Sequence, residues 1–137
     1  MDEIIKQNNT QLLTNIREIL LSARHTAYKA VNFAMVTAYW NIGKLIVEDE
    51  QNGNARAEYG KAVLEELSTK LTKEFGKGFT ITNLKNMRQF YSLFPKGHTL
   101  RGELTWSHYR LLIKVKNDQA RLWYMNEAAE QASAWRP

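Results

Sequence analysis

The chain has 137 residues, no cysteine and a formal net charge of +5, a length that suits one domain with its own hydrophobic core. Without cysteine, a disulfide framework, a thiolate nucleophile and a cysteine-based metal cluster are all excluded. The first residues are acidic and polar, unlike a signal peptide, and no run approaches the ~20 apolar residues of a membrane span. We therefore expect a single cytoplasmic domain, residues 1–137, with no membrane partner.

Apolar residues recur at helical spacing in two N-terminal segments, residues 2–24 and 26–50. We interpret them as two amphipathic helices, so that residues 2–52 form a long helical hairpin. Residues 51–60 are rich in Gly and Asn, which predicts a linker that ends the second helix.

Residues 61–94 predict a helix-turn-helix-like segment. An apolar face runs through the first half of this segment, and Gly76 and Gly78 then supply the backbone freedom that a tight turn needs. Thr80 or Thr82 is positioned to cap the second helix by accepting hydrogen bonds from its free N–H groups.

The two faces of this second helix differ in chemistry. The inner face is apolar and carries Leu84, Met87, Phe90, Tyr91 and Phe94. The outer face has amides, hydroxyls and cations but no carboxylate, and it carries Thr82, Lys85, Asn86, Arg88, Gln89 and Ser92. These side chains suit base edges and phosphates. Residues 61–116 also hold eleven basic and four acidic residues, which favours a polyanionic partner.

Residues 95–132 predict a basic loop followed by two C-terminal helices. Lys96, His98 and Arg101 make the loop basic, and the pattern leaves open whether it follows a phosphate backbone or is simply solvated. Thr105 is placed to cap the first of these helices, and Asn117 or Asp118 the second. Because β signals are weak throughout, we expect an all-α fold with five or six helices.

No catalytic motif is present. The three histidines lie far apart and outside any metal-binding frame, and no acidic residue stands two positions before a lysine, as a PD-(D/E)xK nuclease requires. The acidic run at residues 48–50 suits a solvated helix end. We therefore expect no metal, no cofactor and no enzymatic activity in this chain.

Several segments together resemble the N-terminal domain of the YhcG-like family of bacterial proteins, over about residues 12–130. They are residues 38–43, 59–60, 67–68, 78–80, 83–84, 87–91, 104–109, 121–124 and 127–128. Members of that family typically carry a C-terminal PD-(D/E)xK nuclease domain. The resemblance therefore implies an accessory, DNA-binding half, with the nuclease domain as its partner in longer members. Residues 133–137 depart from the family's usual continuation.

The expected partner is DNA, and ten side chains are the candidate contacts. Lys85, Asn86 and Gln89 would face the major groove. Phosphate contacts would come from Lys73, Lys77, Thr82 and Arg88, with Arg101, Arg110 and Lys114 further out. The alternative is a helical interaction module in which residues 2–50 form a homodimer or dock a catalytic partner.

Overall fold

The computed structural model describes residues 2–52 and 57–134, with the side chains of residues 57–59 and 98 left undescribed. These ranges contain five α-helices, one 3-10 turn at Gly97–Thr99 and no β-strand, so the all-α prediction is confirmed. The helices are α1 (Asp2–Gln51), α2 (Ala57–Phe75), α3 (Ile81–Leu93), α4 (Trp106–Leu112) and α5 (Asp118–Ser133).

The predicted N-terminal hairpin is wrong, because α1 is one continuous helix of 50 residues. Neither glycine nor proline interrupts the chain where the hairpin would turn, near Arg24 and Thr26, so no residue there favours leaving the helix. The predicted linker is also shorter than expected, since α2 already begins at Ala57. The rest of that linker, residues 53–56, lies outside the described residues. Across the described ranges, no helix has the apolar length that crossing a membrane requires.

Helix α3 packs against the second half of α1 and runs in the opposite direction. A Cβ built on Gly43 would lie 2.0 Å from the Met87 carbonyl oxygen, so the two backbones touch at this point. Phe94 lies seven residues after Met87, and its carbonyl oxygen accepts a hydrogen bond from the indole N–H of Trp40 at 2.7 Å. As the chain advances along α3, its contact residues in α1 come earlier in the sequence, so the two helices are antiparallel. The second half of α1 is thus the surface on which α3 packs, and we call it the platform for α3.

An aromatic core joins α3 to α4. The Phe90 ring is fully buried, and its centroid lies 4.7 Å from that of Tyr109 and 5.3 Å from that of Trp106. The predicted inner face of α3 is confirmed, since Leu84, Met87 and Phe90 are fully buried. Because this face is buried, the opposite face of α3 is directed toward solvent.

The turn between α2 and α3 has the local chemistry that the sequence predicts. Gly76 and Gly78 adopt φ of 83° and 111°, a region that other residues rarely enter. Thr80 is the N-cap of α3, and its side chain accepts from the Asn83 backbone N–H at 3.1 Å. Thr105 caps α4 and Asn117 caps α5 in the same way. These caps fix where each C-terminal helix starts.

Candidate nucleic-acid interface

The outer side of α3 is an open polar surface. Thr82, Lys85, Gln89 and Ser92 are all exposed there, at spacings of three and four residues that place them along one side of the helix. The helix has neither Asp nor Glu anywhere in its sequence. This surface therefore offers hydroxyl, amide and ammonium groups without a carboxylate of its own.

One flank of this surface meets the end of α1. An Nη1 atom of Arg88 lies 2.7 Å from Oε1 of Glu50, and both side chains are about one-third exposed. A groove of about 590 Å³ runs along the surface between the end of α1 and the outer side of α3, and Glu50 lines it together with Lys85, Arg88, Gln89 and Ser92. Arg88 therefore lies at the edge of the surface and already has an anionic partner. Sequence reasoning treated residues 48–50 as a solvated run and missed Glu50, because no sequence signal links residues 38 positions apart.

The other flank meets the end of α4. The Gln89 side-chain amide donates to the Ile113 carbonyl oxygen at 3.2 Å, which holds the end of α4 beside α3. Lys114 follows directly in the chain, and Arg110 lies one helical turn earlier; both are exposed. The backbone of Lys114 therefore begins one residue from the carbonyl that Gln89 contacts.

Two further candidate cations precede α3. Lys73 lies in the last turn of α2 and Lys77 between the two glycines of the turn, and both are exposed. Lys77 lies four residues before Ile81, the first residue of α3, a helix whose N-terminal N–H groups also favour anions. Asn86 is half-buried, as Arg88 and Arg101 are, whereas the other candidates are exposed.

Arg101 lies apart from the α3 surface. Its guanidinium contacts Glu103 at 3.4 Å and Asn126 of α5 at 3.1 Å, while its backbone N–H donates to the Tyr109 hydroxyl at 2.8 Å. The pKa of Glu103 is held below its usual value, first by a hydrogen bond from its own backbone amide and also by Arg101. Gly102 rests against the Phe33 ring of α1. Arg101 therefore orders the loop before α4, and the loop packs on α1.

Within residues 2–52 and 57–134, no three His, Asp or Glu side chains gather closely enough to hold a metal ion. The side chains exposed on the outer side of α3 carry hydroxyl, amide and ammonium groups.

A family profile described as "DUF1016 N-terminal domain" matches residues 15–136, nearly the whole chain. The chain belongs to this family. It is also 34% identical over 149 aligned positions to "Putative nuclease YhcG" of Escherichia coli (strain K12), with 85% of the chain aligned. The aligned part makes up 40% of that relative's length, so the chain spans well under half of it. No solved structure matches the chain significantly.

Proposed function

We propose that this DUF1016 N-terminal domain is a DNA-binding accessory domain without a catalytic site of its own. In longer relatives it would bring a nuclease domain to its substrate. The outer surface of α3 would enter the major groove, with Lys85 and Gln89 toward base edges. Lys73, Lys77 and Lys114 would neutralise phosphates around it.

The observation that carries this proposal is the open, carboxylate-free side of α3. Ordinary protein surfaces mix both signs of charge, so a helix side with amides and cations alone is a specific chemical feature. The capped glycine turn between α2 and α3 supports the proposal because it matches the outline of a helix-turn-helix. The relative named a nuclease supports it further, since nucleases act on nucleic acid.

The decisive experiment is a salt titration of binding to a random duplex library. We expect the unmodified chain to bind duplex DNA at low salt. The double variant Lys85→Ala/Gln89→Ala should lose sequence preference and bind at least about 10-fold more weakly, since each good base contact is worth ~1–3 kcal/mol. The matched control Lys6→Ala/Gln7→Ala makes the same chemical changes on the first turns of α1, far from α3, and should bind like the unmodified chain.

Two results would contradict the proposal. Failure of the unmodified chain to bind duplex DNA at low salt would rule out the function. Equal binding by the α3 double variant and its control would show that DNA binds elsewhere, which would reject the interface.

A further inference from the structure

The first half of α1 is a helical arm with an apolar stripe that no other part of residues 2–52 and 57–134 covers. Every residue from 2 to 24 is exposed, including Ile19 at 68%. Buried residues of α1 begin only at Val36, in the part that packs against α3, whereas Tyr28 and Val31 are still exposed, at 67% and 59%. The exposed large apolar residues of the arm are Ile4, Ile5, Leu12, Leu13, Ile16, Ile19, Leu20 and Leu21.

Most of these side chains lie on one side of the arm. Ile5, Leu12, Ile16 and Ile19 recur at intervals of seven, four and three residues, the spacing of a coiled-coil seam. An isolated helix of this length is marginally stable in water, and its stability usually comes from burial of such a stripe. Large exposed apolar patches on soluble domains mark interaction sites. The arm is therefore built to pack against another surface.

We infer that the arms of two copies of this chain pair with each other in antiparallel orientation. The distribution of charge selects this arrangement. Asp2 and Glu3 stand at the free end of α1, Arg24 at the inner end of the arm, and a second acidic cluster at residues 48–50. Antiparallel pairing restricted to the arms places Asp2, Glu3 and Lys6 of one copy near Arg24 of the other, so that two carboxylates and one ammonium group surround this guanidinium.

The other self-pairings bring like charges together. A parallel pair would set each charged residue against its own copy. An antiparallel pair along the whole of α1 would set Asp2 and Glu3 against the acidic residues 48–50 of the second copy. Like charges in close register destabilise a helical pair, so both alternatives are disfavoured.

The apolar stripe fits the same register. With the arms centred near Thr14, Ile5 of one copy lies opposite Ala23 of the other, Leu12 lies opposite Ile16, and Ile19 lies opposite Asn9, the polar position of the seam. The paired length ends near residue 26, where His25 and Tyr28 begin to line a groove shared with Gly102 and the end of α5. Two arms of this length bury on the order of 1,200 Å² in total, within the range of stable interfaces.

This dimer goes beyond the proposed DNA-binding function and does not depend on it. At a rise of ~1.5 Å per residue, Gly43 lies roughly 45 Å from the centre of the paired arms, so the two α3 helices are roughly 90 Å apart. Helix-turn-helix dimers that read adjacent half-sites need a separation of about 34 Å. The two domains therefore bind DNA independently, and dimerisation and DNA binding are separable in experiments.

Sedimentation equilibrium of the full chain tests the pairing. We expect a dimer that Ile16→Lys weakens at least about 100-fold, since the new ammonium group is buried in the apolar seam. Thr14→Lys, on the opposite side of the arm, is the matched control and should remain dimeric. A monomer at all concentrations, or a dimer that Ile16→Lys leaves intact, would overturn the proposal.

Engineered cysteines test the orientation, because the chain has none of its own. A mixture of Ile5→Cys and Ala23→Cys chains should form a disulfide between the two variants under mild oxidation. Ile5→Cys alone should not cross-link, since its copies lie at opposite ends of the paired arms. Efficient cross-linking of Ile5→Cys to itself would show a parallel pair and reject the proposed arrangement.

Discussion

The backbones of Gly43 and Met87 are in direct contact. A Cβ atom built on Gly43 would lie only 2.0 Å from the Met87 carbonyl oxygen. Gly43→Ala must therefore push α3 away from α1. We expect a loss of about 2–4 kcal/mol in the free energy of unfolding, as for overpacked core sites. Urea denaturation followed by circular dichroism measures it.

Gly60→Ala is the matched control for that variant. A Cβ there would meet only Glu50 Oε1, at 3.9 Å, and the position is helical. Alanine should stabilise α2 by up to ~1 kcal/mol because it restricts the unfolded chain more than glycine does. If both variants had the same effect, the close approach of α1 and α3 would be refuted.

Trp40 ties the end of α3 to α1 through its indole N–H, which donates to the Phe94 carbonyl oxygen at 2.7 Å. Trp40→Phe keeps an aromatic ring but leaves that carbonyl without its donor. We expect a loss of about 1–3 kcal/mol in unfolding free energy. Trp123→Phe is the control because Trp123 is 60% exposed, and it should change stability by less than about 0.5 kcal/mol.

Burial raises the pKa of Tyr109 to about 12, against an ordinary value near 10. The folded state therefore holds this phenolic proton more tightly than the unfolded state does. The stabilising contribution is complete below pH 10 and is lost as the pH rises from 10 through about 12.

Urea midpoints between pH 8 and 11 measure this dependence. The chain should lose stability more steeply above pH 10 than Tyr109→Phe does, because the remaining tyrosines and the lysines titrate in both. Parallel curves for the two proteins would show that Tyr109 ionises normally.

Glu50 places a carboxylate beside the α3 surface, 2.7 Å from Arg88. If DNA binds there, Glu50→Gln removes a repulsive charge and releases Arg88 for phosphate. We expect binding to tighten about 3- to 10-fold at low salt, with a steeper salt dependence. Glu18→Gln makes the same change on the arm and should leave affinity unchanged. A tightening of equal size in both would mean that only net charge matters.

Much of the α2–turn–α3 segment was predictable because its determinants are local. The positive φ of Gly76 and Gly78, the Thr80 cap and the apolar arc through Leu84, Met87 and Phe90 each depend on residues a few positions apart. The continuity of α1 was not predicted, because a helical period looks the same whether a chain bends or continues. The sequence did contain one indication of a continuous helix, since neither Gly nor Pro occurs near residue 25.

By itself, the sequence determined the all-α class, the caps at which α3, α4 and α5 start and which side of α3 is polar. Those properties arise from spacing, caps and turn residues within a few positions of one another. Only the tertiary structure decided that Glu50 binds Arg88, that Gln89 holds the end of α4, and that no other part of residues 2–52 and 57–134 covers the arm of α1. Each of these depends on which residues far apart in the chain meet once α3 packs against the second half of α1.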